Sequence, residues 1–227
     1  MTDTHADDTD RLDAAANAIA AGDVVVYPTE TVYGLGADAS SADAVERVFA
    51  CKGRDRDKPL SLAVPDIATA RRYARLTPRD ERFMRAFLPG PVTVVVAADP
   101  SLPDALTAGR DRVGVRIPDH DTAIAFLRRV APTPVTATSA NVSGTGSVRR
   151  VADLSARVRD ACAVVVDGGE TPGGGSTVVD PERGVIHRRG ALGDATEAWL
   201  AGEATDGADV DAADDGDDGD DGDDASE

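Results

Sequence analysis

Short apolar runs alternate along this chain with longer amphipathic stretches, a rhythm that predicts strands interleaved with helices. Val24-Val25-Val26-Tyr27 is an unbroken apolar run stopped by Pro28, as expected of a buried strand. Before it, residues 10–21 gather Ala and Ile on one helical face, with Gly22 as the stop. Ser41 can cap a helix through about Cys51, closed by Gly53. Leu60–Val64 predicts a strand and Ile67–Arg75 a helix. Thr77-Pro78 pairs a capping residue with proline at the first helical position, so a helix should run to Leu88. The rigid turn Pro89-Gly90-Pro91 leads into a strand over Val92–Ala97.

The same rhythm continues to the end of the body. Val113–Ile117 and Pro134–Thr138 predict strands on either side of a helix around Thr122–Val130. Val151–Arg159 predicts a helix and Ala163–Asp167 a strand. Ser176–Val179 and Gly184–Arg188 predict a strand pair. Asp194 with Glu197 suggests a capping box for a last short helix containing Trp199. Single strands, strand pairs and helices are mixed in order, which predicts an α+β fold with a mixed sheet rather than a doubly wound parallel one. No linker divides the body. The expected organisation is an acidic disordered arm over 1–9, one domain over 10–202 and an acidic disordered tail over 203–227.

Charge supports those outer boundaries. The 227 residues carry 41 acids and 24 bases, a formal charge of −17. The first ten residues hold 4 acids and the last twenty-five hold 13, with no base in either, so the remainder is balanced at 24 against 24. The tail has Asp-Asp-Gly repeats and no aromatic residue, a composition that cannot bury a core. Aspartate far outnumbers glutamate and arginine far outnumbers lysine, a bias that resembles proteins of salt-loving archaea; codon usage in a GC-rich genome would produce it too.

Several function classes are disfavoured by composition. No apolar run approaches the ~18 residues of a membrane span, and the N-terminus is too polar for a signal peptide. Cys51 and Cys162, the two cysteines, make neither a metal pattern nor a disulfide framework, so a reducing cytoplasm is expected. His5, His120 and His187 are scattered without metal or triad spacing. Gly168–Gly175 is glycine-rich but lacks the Gly-Lys-Ser/Thr of a nucleotide-binding P-loop.

The chemistry gathers elsewhere. Both lysines of the chain, Lys52 and Lys58, lie in Cys51-Lys52-Gly53-Arg54-Asp55-Arg56-Asp57-Lys58. Lys52 and Arg54, two positions apart in an extended segment, would point to one side and suit a polyphosphate. The turn amides around Ser139-Ala140-Asn141 offer further donors. Each of these has a plainer reading: Lys52 as a cation at a helix end, Ser139 and Asn141 as turn formers, Arg116 as a surface strand residue, Thr29 and Glu30 as strand-end polar residues.

Taken in order, the blocks Tyr27-Pro28-Thr29-Glu30-Thr31-Val32-Tyr33-Gly34-Leu35-Gly36, Lys52-x-Arg54, Pro89-Gly90-Pro91-Val92-Thr93, Val115-Arg116-Ile117-Pro118, Thr138-Ser139-Ala140-Asn141, Asp167-Gly168-Gly169, Ser176-Thr177 and Arg188-x-Gly190 resemble the YrdC/Sua5 family over roughly residues 10–200. The resemblance implies a twisted mixed sheet flanked by helices around a large concave cavity. It implies synthesis of threonylcarbamoyl-AMP and pyrophosphate from L-threonine, bicarbonate or CO2, and ATP. A separate transferase complex would then modify adenosine 37 of tRNA. Mg²⁺ would accompany the nucleotide, held by phosphates and water.

The resemblance also implies roles for residues. Arg54, Lys58, Ser139, Asn141, Arg149 and Arg188 would contact ATP, with Lys52 and Arg54 carrying the catalytic phosphate site. Thr31, Arg116, Ser139 and Ser176 would hold threonine, Arg116 by a two-pronged clamp on its carboxylate. Arg150 and Arg189 are competitors in register for Arg149 and Arg188. Many family members carry a second domain, so this chain is expected to be a short form. Ala63 stands where long members often have histidine. The rival readings are a double-stranded-RNA or tRNA-binding module, which the balanced body disfavours, and a paralogue with another substrate.

Overall fold

A computed structural model describes residues 4–208, with side chains over 9–202. The chain divides into two compact units, Met1–Gly193 and Asp194–Glu227. The first ends short of the predicted boundary at 202. In the second, the described part is a helix, α8 (Gly193–Ala208). It carries helical backbone past Glu203, where a disordered tail was expected; residues 209–227 lie outside the described residues, as do 1–3.

In the first unit, α1 (Thr4–Ala20) begins six residues before the expected start, so most of the anticipated acidic arm is helical. Helices α2 (Ala42–Lys52), α3 (Ile67–Ala70), α4 (Pro78–Phe87), α5 (Asp104–Thr107), α6 (Asp121–Val130) and α7 (Ala156–Ala161) follow. Their termini obey local chemistry. Ser41 accepts from the Ala44 amide, and Gly53 closes α2 in the left-handed conformation at φ 57°. Thr77 and Asp80 form a reciprocal capping box with Pro78 at the first helical position.

The strands are β1 (Val25–Tyr27), β2 (Gly34–Gly36), β3 (Ser61–Ala63), β4 (Ala74–Arg75), β5 (Val92–Ala98), β6 (Arg112–Arg116), β7 (Val135–Ser139), β8 (Val164–Val165), β9 (Thr177–Asp180) and β10 (Val185–Arg188). They form a sheet in the order β10-β9-β5-β6-β3-β7-β2-β1-β8, with β4 beside β5. The pairs β9/β5, β6/β3 and β1/β8 are parallel and the others antiparallel. The sheet is therefore mixed, as the order of elements implied.

Helices α1 and α6 cover one part of this sheet. Leu12, Ala15 and Ile19 of α1 meet Ala123, Phe126 and Leu127 of α6 over Val25, Tyr27 and Val135. The Tyr27 and Phe126 rings lie 5.2 Å apart, centroid to centroid. Burial of the Tyr27 phenol pushes its pKa up to about 12.

Three stretches differ from what local pattern predicts. The helix expected over 67–75 stops at Ala70, because Ala74 and Arg75 pair with Ala98 and Ala97 on β5. The helix expected over 151–159 splits into a 3-10 turn over Val151–Asp153 and α7, whose N-cap is Ser155. Strand β2, Gly-Leu-Gly, has no hydrophobic alternation to mark it. Its glycines are required by packing: a Cβ on Gly34 would lie 3.0 Å from Tyr27 Cζ, and one on Gly36 would lie 2.7 Å from Val135 Cγ1. Cys51 and Cys162 are both free, and the neighbouring Cys162 holds the Cys51 thiol below its usual pKa, at about 7.

Candidate active site

Arginines and hydroxyls converge on a cavity of about 590 Å³ formed by strand ends and loops of the first unit. Of the ten residues singled out from sequence, Arg54, Ser139, Arg188, Thr31, Arg116 and Ser176 line it. They come from six separate segments, which β2, β6, β7 and β9 bring side by side.

Arg116 projects from the last position of β6. Its Nη2 donates to Glu30 Oε1 (2.7 Å) and to Thr31 Oγ1 (2.8 Å). The Thr31 hydroxyl also meets that of Thr29 (3.0 Å), which donates to Val32 O (2.7 Å). The Arg116 and Glu30 side chains are only 14% and 12% exposed, so this is a buried ion pair. Nη2 has thus spent both of its protons, and the two-pronged clamp expected of Arg116 must use its other nitrogens or displace a partner. Arg116 Nε and Glu30 Oε2 are buried without hydrogen-bond partners among the described residues.

Arg54 and Arg188 also line the cavity. Arg54 donates from Nε to Lys58 O and from Nη2 to Pro59 O, both at 3.0 Å. Arg188 donates from Nε to Ser176 O (3.0 Å) and from Nη2 to Ser176 Oγ (2.8 Å). The Ser176 hydroxyl also meets Thr93 Oγ1 at 3.1 Å. Burial holds both guanidinium groups below their usual pKa. On Arg54 the neighbouring Asp55 opposes this and Arg188 adds to it, and on Arg188 the Arg116 charge adds to it. Clustered, half-desolvated cations of this kind suit an anion.

Lys52 is placed otherwise than the extended-segment reading implied. It is the last residue of α2, and the left-handed Gly53 turns the chain so that Lys52 and Arg54 diverge. The Lys52 side chain is buried and does not line the cavity. Its ammonium donates to the carbonyls of Ser139 and Asn141, the latter at 2.7 Å. Burial, with the nearby Arg54 charge, lowers its pKa to about 8. Lys52 therefore straps the Ser139-Ala140-Asn141 turn from behind. The Ala140 amide adds a bond to Tyr33 O at 2.7 Å.

The remaining candidates also stand off the cavity wall. Lys58 is exposed and paired with Asp55 (2.6 Å). The Asn141 amide closes its own turn, donating to Val142 O and Thr145 O while its oxygen accepts from Ser139 Oγ. Arg149 is half-exposed, bonded to Thr171 O (2.9 Å) and Glu170 (2.9 Å).

Sequence reasoning passed over four features. Glu30 was a strand-end polar residue on pattern alone. Thr93 had no role beyond its motif. The Tyr33 phenol, raised to about 12 chiefly by burial, donates to Gly169 O (2.7 Å) and Asp167 Oδ1 (3.1 Å), anchoring the glycine-rich loop. Arg112 pairs with Asp180 (2.5 Å) and Glu182 (2.6 Å) beside the same cavity. The one signal for Glu30 was its place between two threonines directly after a buried strand. Among the described residues, no group of three or more His, Cys, Asp or Glu could hold a metal ion.

A family model named Sua5_yciO_yrdC, described as "Telomere recombination", matches residues 17–190. The chain is 37% identical over 172 residues to the threonylcarbamoyl-AMP synthase of Pyrococcus abyssi, covering 75% of this chain and 50% of that protein. It is 36% identical over 205 residues to the human protein of the same name, covering 85% of this chain and 71% of that one. A crystal structure of P. abyssi Sua5 with L-threonine superposes with a TM-score of 0.69 at 36% identity, over 74% of this chain and 50% of that one. The chain thus spans about half the length of its Pyrococcus relative.

Proposed function

This chain belongs to the Sua5/YciO/YrdC family, and from that premise we propose that it is a threonylcarbamoyl-AMP synthase. It condenses L-threonine, bicarbonate and ATP, releasing pyrophosphate and water; with CO2 in place of bicarbonate, no water is released. The observation that carries the reading is a single cavity whose arginines have unlike partners. Arg116 is already paired with a carboxylate and bonded to a threonine hydroxyl, while Arg54 and Arg188 donate their hydrogen bonds to carbonyls and a hydroxyl. The first suits an amino acid and the other two a polyphosphate.

In the proposed reaction bicarbonate takes up a proton and loses water to give CO2, and the threonine amine attacks CO2 and releases a proton to give a carbamate. The carbamate oxygen attacks the α-phosphorus of ATP, and pyrophosphate leaves. Neither step needs a protein nucleophile; both need orientation and charge stabilisation. Arg116, Thr31 and Ser176 orient threonine. Arg54 and Arg188 take up phosphate charge, and the Ser139 turn, held by Lys52, presents its hydroxyl between the two ligands. Lys58 and Arg149 would reach the nucleotide by swinging their long side chains away from Asp55 and Glu170, and Asn141 would act through the turn. Mg²⁺ would arrive on the phosphates and share in neutralising them, since the described residues hold no carboxylate cage.

The proposed product feeds a separate transferase that modifies adenosine 37 of tRNA, and the proposed compartment is the cytoplasm. Among the described residues no helix is long and apolar enough to cross a membrane. The rival RNA-binding reading is not favoured.

The test is incubation of the purified chain with labelled bicarbonate, ATP and Mg²⁺, with and without L-threonine, at low and high KCl. Threonine-dependent labelled adenylate and pyrophosphate are expected. A folded protein that forms neither at either salt sinks the proposal.

A further inference from the structure

We propose that Glu30 sorts the two substrates within their shared cavity: by neutralising Arg116, it makes that arginine receptive to a zwitterionic amino acid and unreceptive to polyphosphate. The inference rests on the synthase reading above. Glu30 does not line the cavity but stands behind Arg116 and acts through it, so it is a positioning and specificity residue.

Arg54, Arg116 and Arg188 all face one cavity, and a triphosphate could in principle engage any of them. Their partners differ. Arg54 donates to the carbonyls of Lys58 and Pro59, and Arg188 to the carbonyl and hydroxyl of Ser176. Arg116 alone among the three is matched to a carboxylate, at 2.7 Å in a buried pair. A buried pair of this kind presents no net charge to a ligand, and its carboxylate repels a second anion brought close by.

An amino acid at neutral pH also has no net charge, so it can meet such a pair without an unbalanced charge being buried. The pair is not fully satisfied internally. Arg116 Nε and Glu30 Oε2 are both buried and unpartnered among the described residues. Polyphosphate brings negative charge alone and is directed to Arg54 and Arg188, which no carboxylate engages by hydrogen bond.

The experiment is calorimetric binding of L-threonine to the full chain, wild type and Glu30→Gln, with and without inorganic pyrophosphate. In the wild type, pyrophosphate should leave the threonine Kd within about twofold, because the two engage different arginines. In Glu30→Gln, where Arg116 becomes an uncompensated cation, it should raise the threonine Kd about tenfold, the worth of one charge-assisted hydrogen bond to the competitor. A folded Glu30→Gln as indifferent to pyrophosphate as the wild type overturns the proposal while leaving the synthase reading intact. A wild type that binds no threonine overturns both. Should Glu30→Gln not fold, Glu30→Asp withdraws the charge from Nη2 without removing it and must show a smaller sensitivity of the same sign. A folded Glu30→Asp without any sensitivity counts against the proposal equally.

Discussion

Replacing Lys52 by methionine removes an ammonium and keeps a stem of similar length. The ammonium is buried and bonded to the carbonyls of Ser139 and Asn141. Two opposing costs follow. Its pKa, lowered from 10.5 to about 8, means that holding the charge at neutral pH costs roughly 3 kcal/mol. Stranding the two carbonyls costs about 1–3 kcal/mol each. The global stability change should therefore be small, within about 3 kcal/mol, and the loss should fall on the turn. Because Ser139 is assigned to both ligands, a loosened turn weakens both. If the turn must be reordered at a cost of about 3 kcal/mol, kcat/KM drops on the order of 100-fold for threonine and for ATP alike. Steady-state pyrophosphate release, with each substrate varied in turn, measures this. If Lys52→Met raises the ATP KM and leaves threonine untouched, the lysine is a direct phosphate ligand and the strap argument is refuted.

Other perturbations separate the site and the scaffold. Arg188→Ala should raise the ATP KM by about two orders of magnitude, the worth of one or two charge-assisted contacts, as read in the same assay; a wild-type ATP KM would remove Arg188 from the phosphate site. Lys52, whose folded pKa is depressed, costs stability below about pH 8, and that cost is relieved as pH rises towards 10.5 because the unfolded chain then binds more protons. Tyr27 and Tyr33 pull the other way above pH 10 but cancel in the difference, so denaturant titrations should show wild type gaining on Lys52→Met between pH 8 and 10.5. Gly36→Ala drives a Cβ to 2.7 Å from Val135 and should cost about 1–3 kcal/mol of stability by denaturant unfolding. Thr77→Ala breaks the capping box of α4 and should cost about 1 kcal/mol in the same experiment.

Much of the scaffold was legible because its signals are local. Buried strands announce themselves as apolar runs, and β1, β5 and β6 appear close to where the pattern puts them. Helix α2 is bracketed by Ser41 and Gly53, and α4 by Thr77-Pro78, all of which act within a few residues. The mixed sheet followed from the order of elements. Strand β2 was invisible because its glycines exist to admit the Tyr27 ring, a demand made from the neighbouring strand. The split of 67–75 into α3 and β4 was equally hidden, since β5 claims Ala74 and Arg75 from more than twenty residues away.

The candidate site divides along the same line. Residue types pointed to Arg54, Arg188 and the Ser139 turn, the family resemblance added Arg116, Ser176 and Thr31, and all six line the cavity. What the sequence could not supply was direction. Lys52 and Arg54 are two positions apart, yet a helix end and one left-handed glycine send the first to the Ser139 turn and the second to the cavity. Glu30 and Arg116 are 86 residues apart, and nothing local marks the carboxylate as the arginine's counter-charge. Chemical identity and helix or strand periodicity are properties of the chain and can be read from it. Which of several equivalent cations is neutralised, and which is left facing a ligand, is set by burial and pairing between distant segments, and those exist only once the sheet has formed.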